Sequence, residues 1–412
     1  MNLLERYGIN RVVVALSTAR MADAFGASIL TVLIPLYVAE LPSPAFNLPG
    51  SVLVGMLISL YGLAFTVLQP FSGALSDRLG KRKLFIQAGL LVMALSSLAF
   101  TRVERYSHLV LFRFLQGLGV AMTVPAALGV MAASTVKESR GGAMGFYSTT
   151  RMIGFALGPA VGGWVYAEYG FNSAFTICAG SLLLASLLVQ WWVDEDPPQP
   201  RTERSTLNIF DRRLLGDGLG FLGVATFFMA IAFSLISTLE NEYNLRLNQT
   251  AFEFGIAYSG LTWGRLAFQF PLGRLSDRIG RKRVILLGML VLAPATAWLG
   301  FVTSTAQLTA GRVLQGFASA GVAAPAFALA GDLAKKGSEA QQMSVIAMGF
   351  GLGIAVGPLL AGWLAVYAFE LPFLVGALLT LMGAWFINRF VQETVKPDRF
   401  PDEDEGAGGE TD

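Results

Sequence analysis

Residues 73–83 read GALSDRLGKRK, and residues 273–283 read GRLSDRIGRKR. Each stretch gathers one carboxylate and four or five cations, in a 412-residue chain that is 54% hydrophobic and only 14% charged. Asp77 and Asp277 stand 200 residues apart, each near the middle of its half. A charged cassette that recurs at this distance in so apolar a sequence points to a duplicated unit.

Around the cassettes the apolar residues neither alternate nor follow a single amphipathic stripe. They come in runs of about twenty, the length a helix needs to cross a hydrocarbon core of ~30 Å. A mean hydropathy of +0.57 and 46 glycines argue against soluble domains. The single cysteine, Cys178, excludes an intramolecular disulfide framework and a Cys-based zinc cluster. The net charge of +2 says nothing for nucleic acid, because the cations lie in short loops rather than along one face. No Walker A sequence supports ATP-driven pumping, no nucleophile–base constellation suggests an enzyme, and no cofactor or metal is implied.

Twelve runs are readable, near 12–38, 49–75, 84–102, 107–135, 142–167 and 171–193, then 217–240, 251–275, 284–303, 307–334, 341–367 and 371–393. RVVVALSTARMADA (11–24) has the short apolar core and A-x-A ending of a signal peptide. The apolar character resumes through FGASILTVLIPLYV to Val38, however, so one uncleaved spanning helix fits better. The expected organisation is all-α integral membrane: an N-terminal six-helix bundle (1–193), a proline- and charge-rich linker (194–216), a C-terminal six-helix bundle (217–396) and an acidic, disordered tail (397–412). Loops on the side of both cassettes carry seventeen Lys and Arg, against Arg102, Arg105 and Arg246 on the other side. The positive-inside bias therefore predicts that the cassettes, the linker and both termini are cytoplasmic in a cell membrane.

The repeat extends past the cassettes. LVLFRFLQGLGVA (109–121) matches LTAGRVLQGFASA (308–320), pairing Arg113 with Arg312 and Gln116 with Gln315. GFALGPAVGGW (154–164) matches GIAVGPLLAGW (353–363), and Gln69 pairs with Gln269. Two homologous six-helix halves in the same orientation are one way to build a secondary transporter, with substrate at their interface near the midplane.

These motifs resemble the major facilitator superfamily over nearly the whole chain. Both cassettes fit its loop 2–3 signature G-x-L-[AS]-D-R-x-G-[RK]-[RK]. Residues 109–121 fit its helix-4 pattern L-x-x-x-R-x-x-Q-G-x-G-x-A. Residues 154–164 fit the helix-5 signature G-x-x-x-G-P-x-x-G-G of proton-coupled antiporters, so the chain is similar to the twelve-span drug:proton antiporters. Two departures stand out. Val32 occupies the place of a family proline ahead of Pro35. Asp332 supplies the acid expected at the end of helix 10 as partner to a cassette arginine, whereas its counterpart in the first half is Ala133, leaving Glu138 as a candidate substitute.

The resemblance implies alternating access: a monomer in the bilayer exchanges protons for a small hydrophobic or drug-like molecule. The alternative is an importer or facilitator of a sugar, organic anion or other metabolite. It also implies a latch that holds the halves together in the outward-facing state, built from Gly73, Asp77, Arg78 and Gly80 with Asp277, Arg278 and Asp332. The bland alternative for the Lys/Arg run is a positive-inside anchor.

Ionisable residues inside spans are functional suspects by default. Arg20 and Asp23, three residues apart, share one face of the first helix, with Asp23 near its midpoint. Burial penalises the charged form of Asp23 and Arg20 favours it, which suits reversible protonation or pairing with a cationic substrate; a permanent structural ion pair is the alternative. Arg113, with Gln116 one turn deeper, is expected to act electrostatically on a carboxylate, with Asp23 the nearest candidate by topology; packing against backbone carbonyls is the alternative. Arg312 carries a weaker expectation as its repeat mate. Arg151 and Arg265 either face the cavity, snorkel or pair internally. Gly154, Gly158, Gly162 and Gly163, with Pro159, form a small-residue strip for close helix contact, either sealing a proton leak or simply packing. Glu240, Glu242 and Glu253 read as solvated acids of an outer loop, with Glu240 at the cavity mouth as the other option.

Overall fold

The computed structural model describes residues 8–41, 48–136, 139–194, 218–333 and 339–394, with no side chains considered at 339–344. The expected linker beyond Asp194 and the acidic tail lie outside the described residues. In hydrocarbon every backbone N–H and C=O must be satisfied within the segment, so spans of this composition become helices.

Helix α1 is Arg11–Glu40, α2 Gly50–Leu79, α3 Arg82–Ala99 and α4 Tyr106–Ser134. A continuous run, Arg140–Trp192, is broken at Gly170, whose φ of 77° divides it into α5 (140–169) and α6 (171–192). In the second half α7 is Leu219–Ser234, followed by a 3-10 turn at Leu235–Thr238 and a short helix, Glu240–Leu247. Helix α8 is Ala251–Ile279, α9 Arg281–Leu299, α10 Thr305–Leu333, α11 Glu339–Ala365 and α12 Leu371–Phe390. Ten helical runs among the described residues are long and apolar enough to cross a membrane. One of them is the α5–α6 pair; α8, which carries Glu253, Arg265 and a cassette, completes the twelve. The expected spans hold, with one informative difference: α2 and α8 run past residues 75 and 275, so Asp77 and Asp277 sit on a last helical turn.

Packing follows the repeat. Helix α1 lies along α5 and α6, and α4 fills the space between α2 and α3; α7 lies along α11, and α10 between α8 and α9. The halves meet along two seams, α2 against α11 and α5 against α8. The tightest approaches between them fall in the half of each helix remote from the cassettes, and the α2–α11 seam loosens by mid-helix, where a Cβ at Gly351 would stand 3.3 Å from Thr66 Oγ1. Ser51 Oγ donates to Gly362 O at 3.1 Å, Leu359 N to Ser59 Oγ at 3.1 Å, and Gly55 lies against the backbone of Pro358. The apolar core shows the same division. One buried cluster, including Leu33, Leu57, Phe175, Leu235, Phe254 and Phe373, runs through both halves at the end remote from the cassettes. Towards the cassettes it separates into two clusters, one per half. The structure is therefore closed at the end remote from the cassettes and divided at the cassette end. Leu95, Leu184, Phe270 and Leu378, exposed on the outside of the bundles, provide the apolar surface a bilayer requires.

The α1–α5 contact is backbone to backbone, and a Cβ at Gly158 would run into Ser28 Oγ and Phe25 O. Gly158→Val is expected to cost about 1–3 kcal/mol of stability by overpacking. Gly141→Val, at a glycine with nothing within 4 Å, should leave thermal melting in detergent unchanged. Equal melting of the two variants would show that this contact is loose.

Candidate functional site

On α1, Arg20 Nη1 and Asp23 Oδ2 form a buried ion pair one helical turn apart. Asp23 is 5% exposed. It lines a small cavity of about 10 Å³ together with Gly26, Leu30, Tyr61, Ser97 and Gln116. That is room for about one water and far below the ~300 Å³ lower bound for a drug-sized pocket, so the cavity is a narrow recess and not a substrate chamber. The charges that act on Asp23 are Arg20 first and then Arg151 of α5.

Arg113 does not join them. Its Nη1 donates to Gln116 Oε1 at 3.2 Å, Gln116 Nε2 donates to Ser97 Oγ at 3.1 Å, and the guanidinium lies 5.2 Å from the centre of the Tyr61 ring. The expected Arg113–Asp23 partnership is thus replaced by a relay that reaches the Asp23 cavity through Gln116. The reason is local: residues three apart on α4 share a face, and the amide captures the guanidinium before any carboxylate does.

The second half repeats the relay without the acid. Arg312 Nη1 donates to Gln315 Oε1 at 2.7 Å and to Phe233 O at 3.1 Å, Gln315 Nε2 donates to Thr296 Oγ1 at 2.9 Å, and the guanidinium sits 5.0 Å from the Tyr258 ring centre. Ser28 and Ser234 fill matching places, each hydroxyl against a glycine of the facing helix, Gly158 or Gly357. Counting back from them puts Met229 opposite Asp23 and Thr226 opposite Arg20.

The helix-5 strip divides its work. Gly154, Gly158 and Gly162 face α1 at Met21–Ile29, the segment that holds Asp23, while Gly163 and Pro159 cross the seam to Ala251 and Gly255 of α8. One motif thus sets both the height of Asp23 against α5 and the contact between halves.

The cassettes are not superposable residue for residue. Asp77, 62% exposed, pairs with Arg82 at 2.8 Å, while Arg78 is exposed. In the second copy Arg281, not Arg278, binds both Asp277 (3.4 Å) and Asp332. Arg82 also donates to Gly129 O and Arg281 to Ala328 O; Lys83 donates to Gln190 O and Lys282 to Asn388 O. The equivalents are therefore Arg82 with Arg281 and Lys83 with Lys282, one residue out of the alignment. Gly80, a left-handed cap at φ 63°, is followed by Lys81 before α3 begins. Gly280 leads straight into α9, so Lys81 has no counterpart. Gly73 packs against Pro125 of α4. Both aspartates are held within their own half, and Glu138 lies outside the described residues.

Of the three outer acids, Glu253 matches its reading: with Thr250 it forms a capping box at the start of α8. Glu240 does not. It is 0% exposed, and neither carboxyl oxygen has a hydrogen-bond partner of good geometry; the Asn244 side chain, one turn on, offers only a weak polar contact. The short helix that carries it packs on α1 and α8, which bury it at the junction of the halves.

With this geometry in view, comparison with known proteins is decisive for the family. Residues 16–239 and 220–409 each match the Major Facilitator Superfamily. The chain belongs to that superfamily. It is a transporter, a multi-pass membrane protein and not an enzyme. It is 26% identical over 346 residues to a protein of Lactococcus lactis named a multi-drug resistance efflux pump PmrA homolog, covering 82% of this chain and 84% of the relative. It is 29% identical over 241 residues to the quinolone resistance protein NorA of Staphylococcus aureus, covering 57% and 59% of the two chains. Among solved structures, a bacterial homolog of the human lysosomal transporter Spinster, inward-facing and occupied, superposes with a TM-score of 0.77 at 16% identity, covering 92% of this chain and 95% of that one. The human transporter MFSD10 superposes with a TM-score of 0.66 at 19% identity, covering 92% and 99%. These two likenesses concern the fold.

The cassette slip and the buried acid each have a measurable consequence. Arg281→Ala should lower thermal stability markedly more than Arg278→Ala, because only Arg281 holds two carboxylates; the reverse order would overturn the register. Burial holds the Glu240 carboxyl well above the usual carboxylate range. Below that range the group is protonated whether buried or exposed and has no effect. As pH rises above it, the closed form loses stability, at up to ~1.4 kcal/mol per pH unit, relative to any form that exposes Glu240. The melting temperature of the wild type should therefore fall more steeply than that of Glu240→Gln between about pH 5 and 8. Parallel slopes would mean that Glu240 is ionised in place.

Proposed function

We propose that the protein is a secondary active exporter that works by alternating access, with protons moving down their gradient as a small hydrophobic or drug-like molecule leaves. The observation that carries this reading is the Asp23–Arg20 pair: a buried acid on the first helix, facing a narrow recess, set against the glycine strip of α5. A proton on Asp23 cancels its charge and releases Arg20. A buried ion pair broken in this way costs several kcal/mol, so the protonated state favours a rearrangement that re-solvates the arginine. The names of the relatives from Lactococcus and Staphylococcus agree with export of drug-like molecules.

In this reading the cassettes, linker and termini face the cytoplasm of the plasma membrane, and the structure, closed on the outer side, is the inward-facing state. Residues 1–193 and 217–396 act as two rocking bodies. Asp77 and its neighbours, held within their own half here, engage across the seam only when the other side closes. Arg113 and Arg312 hold their relays in position, and Gly163 with Pro159 keeps the outer seam tight.

The test is transport in proteoliposomes with an imposed pH gradient and a panel of fluorescent hydrophobic dyes. Wild type should move dye against the proton flow, and Asp23→Asn should lose at least about 90% of the gradient-driven rate while still exchanging dye without a gradient. Arg20→Gln/Asp23→Asn, which leaves no unpaired Arg20, controls for folding. Undiminished gradient-driven export by Asp23→Asn would remove Asp23 from the mechanism, and dye moving with the protons would replace export by uptake.

A further inference from the structure

Two arginines of the seam are left over when the other buried arginines of the spans have found a side-chain partner. Arg20 holds Asp23, Arg113 holds Gln116, and Arg312 holds Gln315. Arg151 on α5 and Arg265 on α8 form no ion pair and no hydrogen bond among the described residues; the Nε of each is buried without a partner, as in Arg20, Arg113 and Arg312, but here no other atom of the group is paired. They belong to opposite halves that meet along the α5–α8 seam: Gly163 lies against Ala251 and Pro159 against Gly255, and the same antiparallel register carried two turns towards the cassettes sets Arg151 level with residue 263, two residues from Arg265. Arg151 stands eleven residues from the cassette-side start of α5 and Arg265 fourteen from the cassette-side end of α8. At 1.5 Å per residue this places them about 16 and 21 Å up their helices, near mid-depth.

Their surroundings are those of a ligand. Each guanidinium lies over an aromatic ring, Arg151 at 5.2 Å from the centre of Phe155 and Arg265 at 5.6 Å from that of Phe350. One turn nearer the cassettes on each helix, Tyr147 Oη and Gln269 Oε1 are also buried without partners. Four polar atoms on two facing helices thus lack what protein interiors almost always supply. The nearby acid, Asp23, is already held by Arg20 and cannot neutralise both remaining cations.

We infer that Arg151 and Arg265 together form the seat for the acidic group of the transported molecule, so that the substrate is an amphipathic organic anion: a carboxylate on an apolar, aromatic-sized body. The carboxylate accepts from both guanidiniums, Tyr147 and Gln269 complete its polar shell, and Phe155 and Phe350 flank the apolar part. The two cations repel each other across the seam, so an anion between them draws the halves together at that depth and links occupancy to the conformational cycle. The inference rests on the transport reading for the word substrate, but its test is independent of proton coupling.

That test is equilibrium binding to the full-length protein in phosphatidylcholine nanodiscs, with no pH gradient, of 2-naphthoate and its uncharged isostere 2-naphthamide. Wild type should prefer the acid by at least about tenfold, as charge-assisted hydrogen bonds to two guanidiniums require. Arg151→Gln and Arg265→Gln should each cut that preference, and the double variant should abolish it, with naphthamide binding retained as proof of a folded cavity. Arg102→Gln, which removes an exposed outer cation, should keep it. Equal wild-type affinity for acid and amide, no detectable naphthoate binding, or a preference that survives in the double variant would each overturn the inference. Displacement of naphthoate by phosphatidylglycerol in the discs would also overturn it, by giving the seat to a lipid headgroup. Should Asp23→Asn transport normally while the acid preference stands, the proton reading fails and the seat does not.

Discussion

Where two helices of this protein meet backbone to backbone, no Cβ can stand between them, and nearly every functional position inherits its place from such a contact. Lipid tails are as apolar as leucine, so helices in a bilayer gain little by burying apolar surface; short-range packing decides which faces meet. Gly154, Gly158 and Gly162 let α1 settle on α5, and that contact brings the turn holding Arg20 and Asp23 beside Arg151. Gly163, Pro159 and Gly255 extend the same helix into the other half. A bulky residue on this strip displaces a charge and a seam together.

The two halves share a scaffold but not a charge distribution. The Arg–Gln–hydroxyl relay occurs in both, with Ser97 in one and Thr296 in the other. The acid on the first helix occurs once, as Asp23, and apolar Met229 takes the equivalent place in α7. Glu240 adds a second buried acid at the junction of the halves, with no symmetry mate of its own kind. Duplication supplied the frame, and divergence at a few buried positions supplied the chemistry.

Much of this was legible in the residues alone. Twelve apolar runs, two cassettes and a strong loop asymmetry lead directly to paired six-helix bundles, because span length and repetition are local properties. What escaped were contacts between residues distant in sequence. Glu240 opens the segment ENEYNLRL, whose polarity reads as a solvated loop; its burial comes from α1 and α8, which no local pattern reveals. Arg113 was matched with the nearest acid by helix order, yet its own Gln116 had already taken it. Arg151 and Arg265 were each visible as a buried cation, but their proximity depends on how α5 meets α8. The one-residue difference between cassettes was present in the numbering, in an offset of 200 at the aspartates that becomes 199 at the helix-4 arginines. Only the backbone shows that Lys81 is the residue without a mate.

The site of that missing residue matters for how such a repeat can diverge. Removing a residue within a helix would turn everything beyond it by about 100° and slide it by 1.5 Å, moving each inward-facing side chain off its axis. Removed between Gly80 and the start of α3, it is absorbed by a change in the turn, from a left-handed cap at φ 63° to an extended crossing at φ 110° and ψ 133°. The glycine acts as an expansion joint: a residue can be gained or lost there while the helices on either side keep their azimuth, so the interior of each half stays in phase with the other.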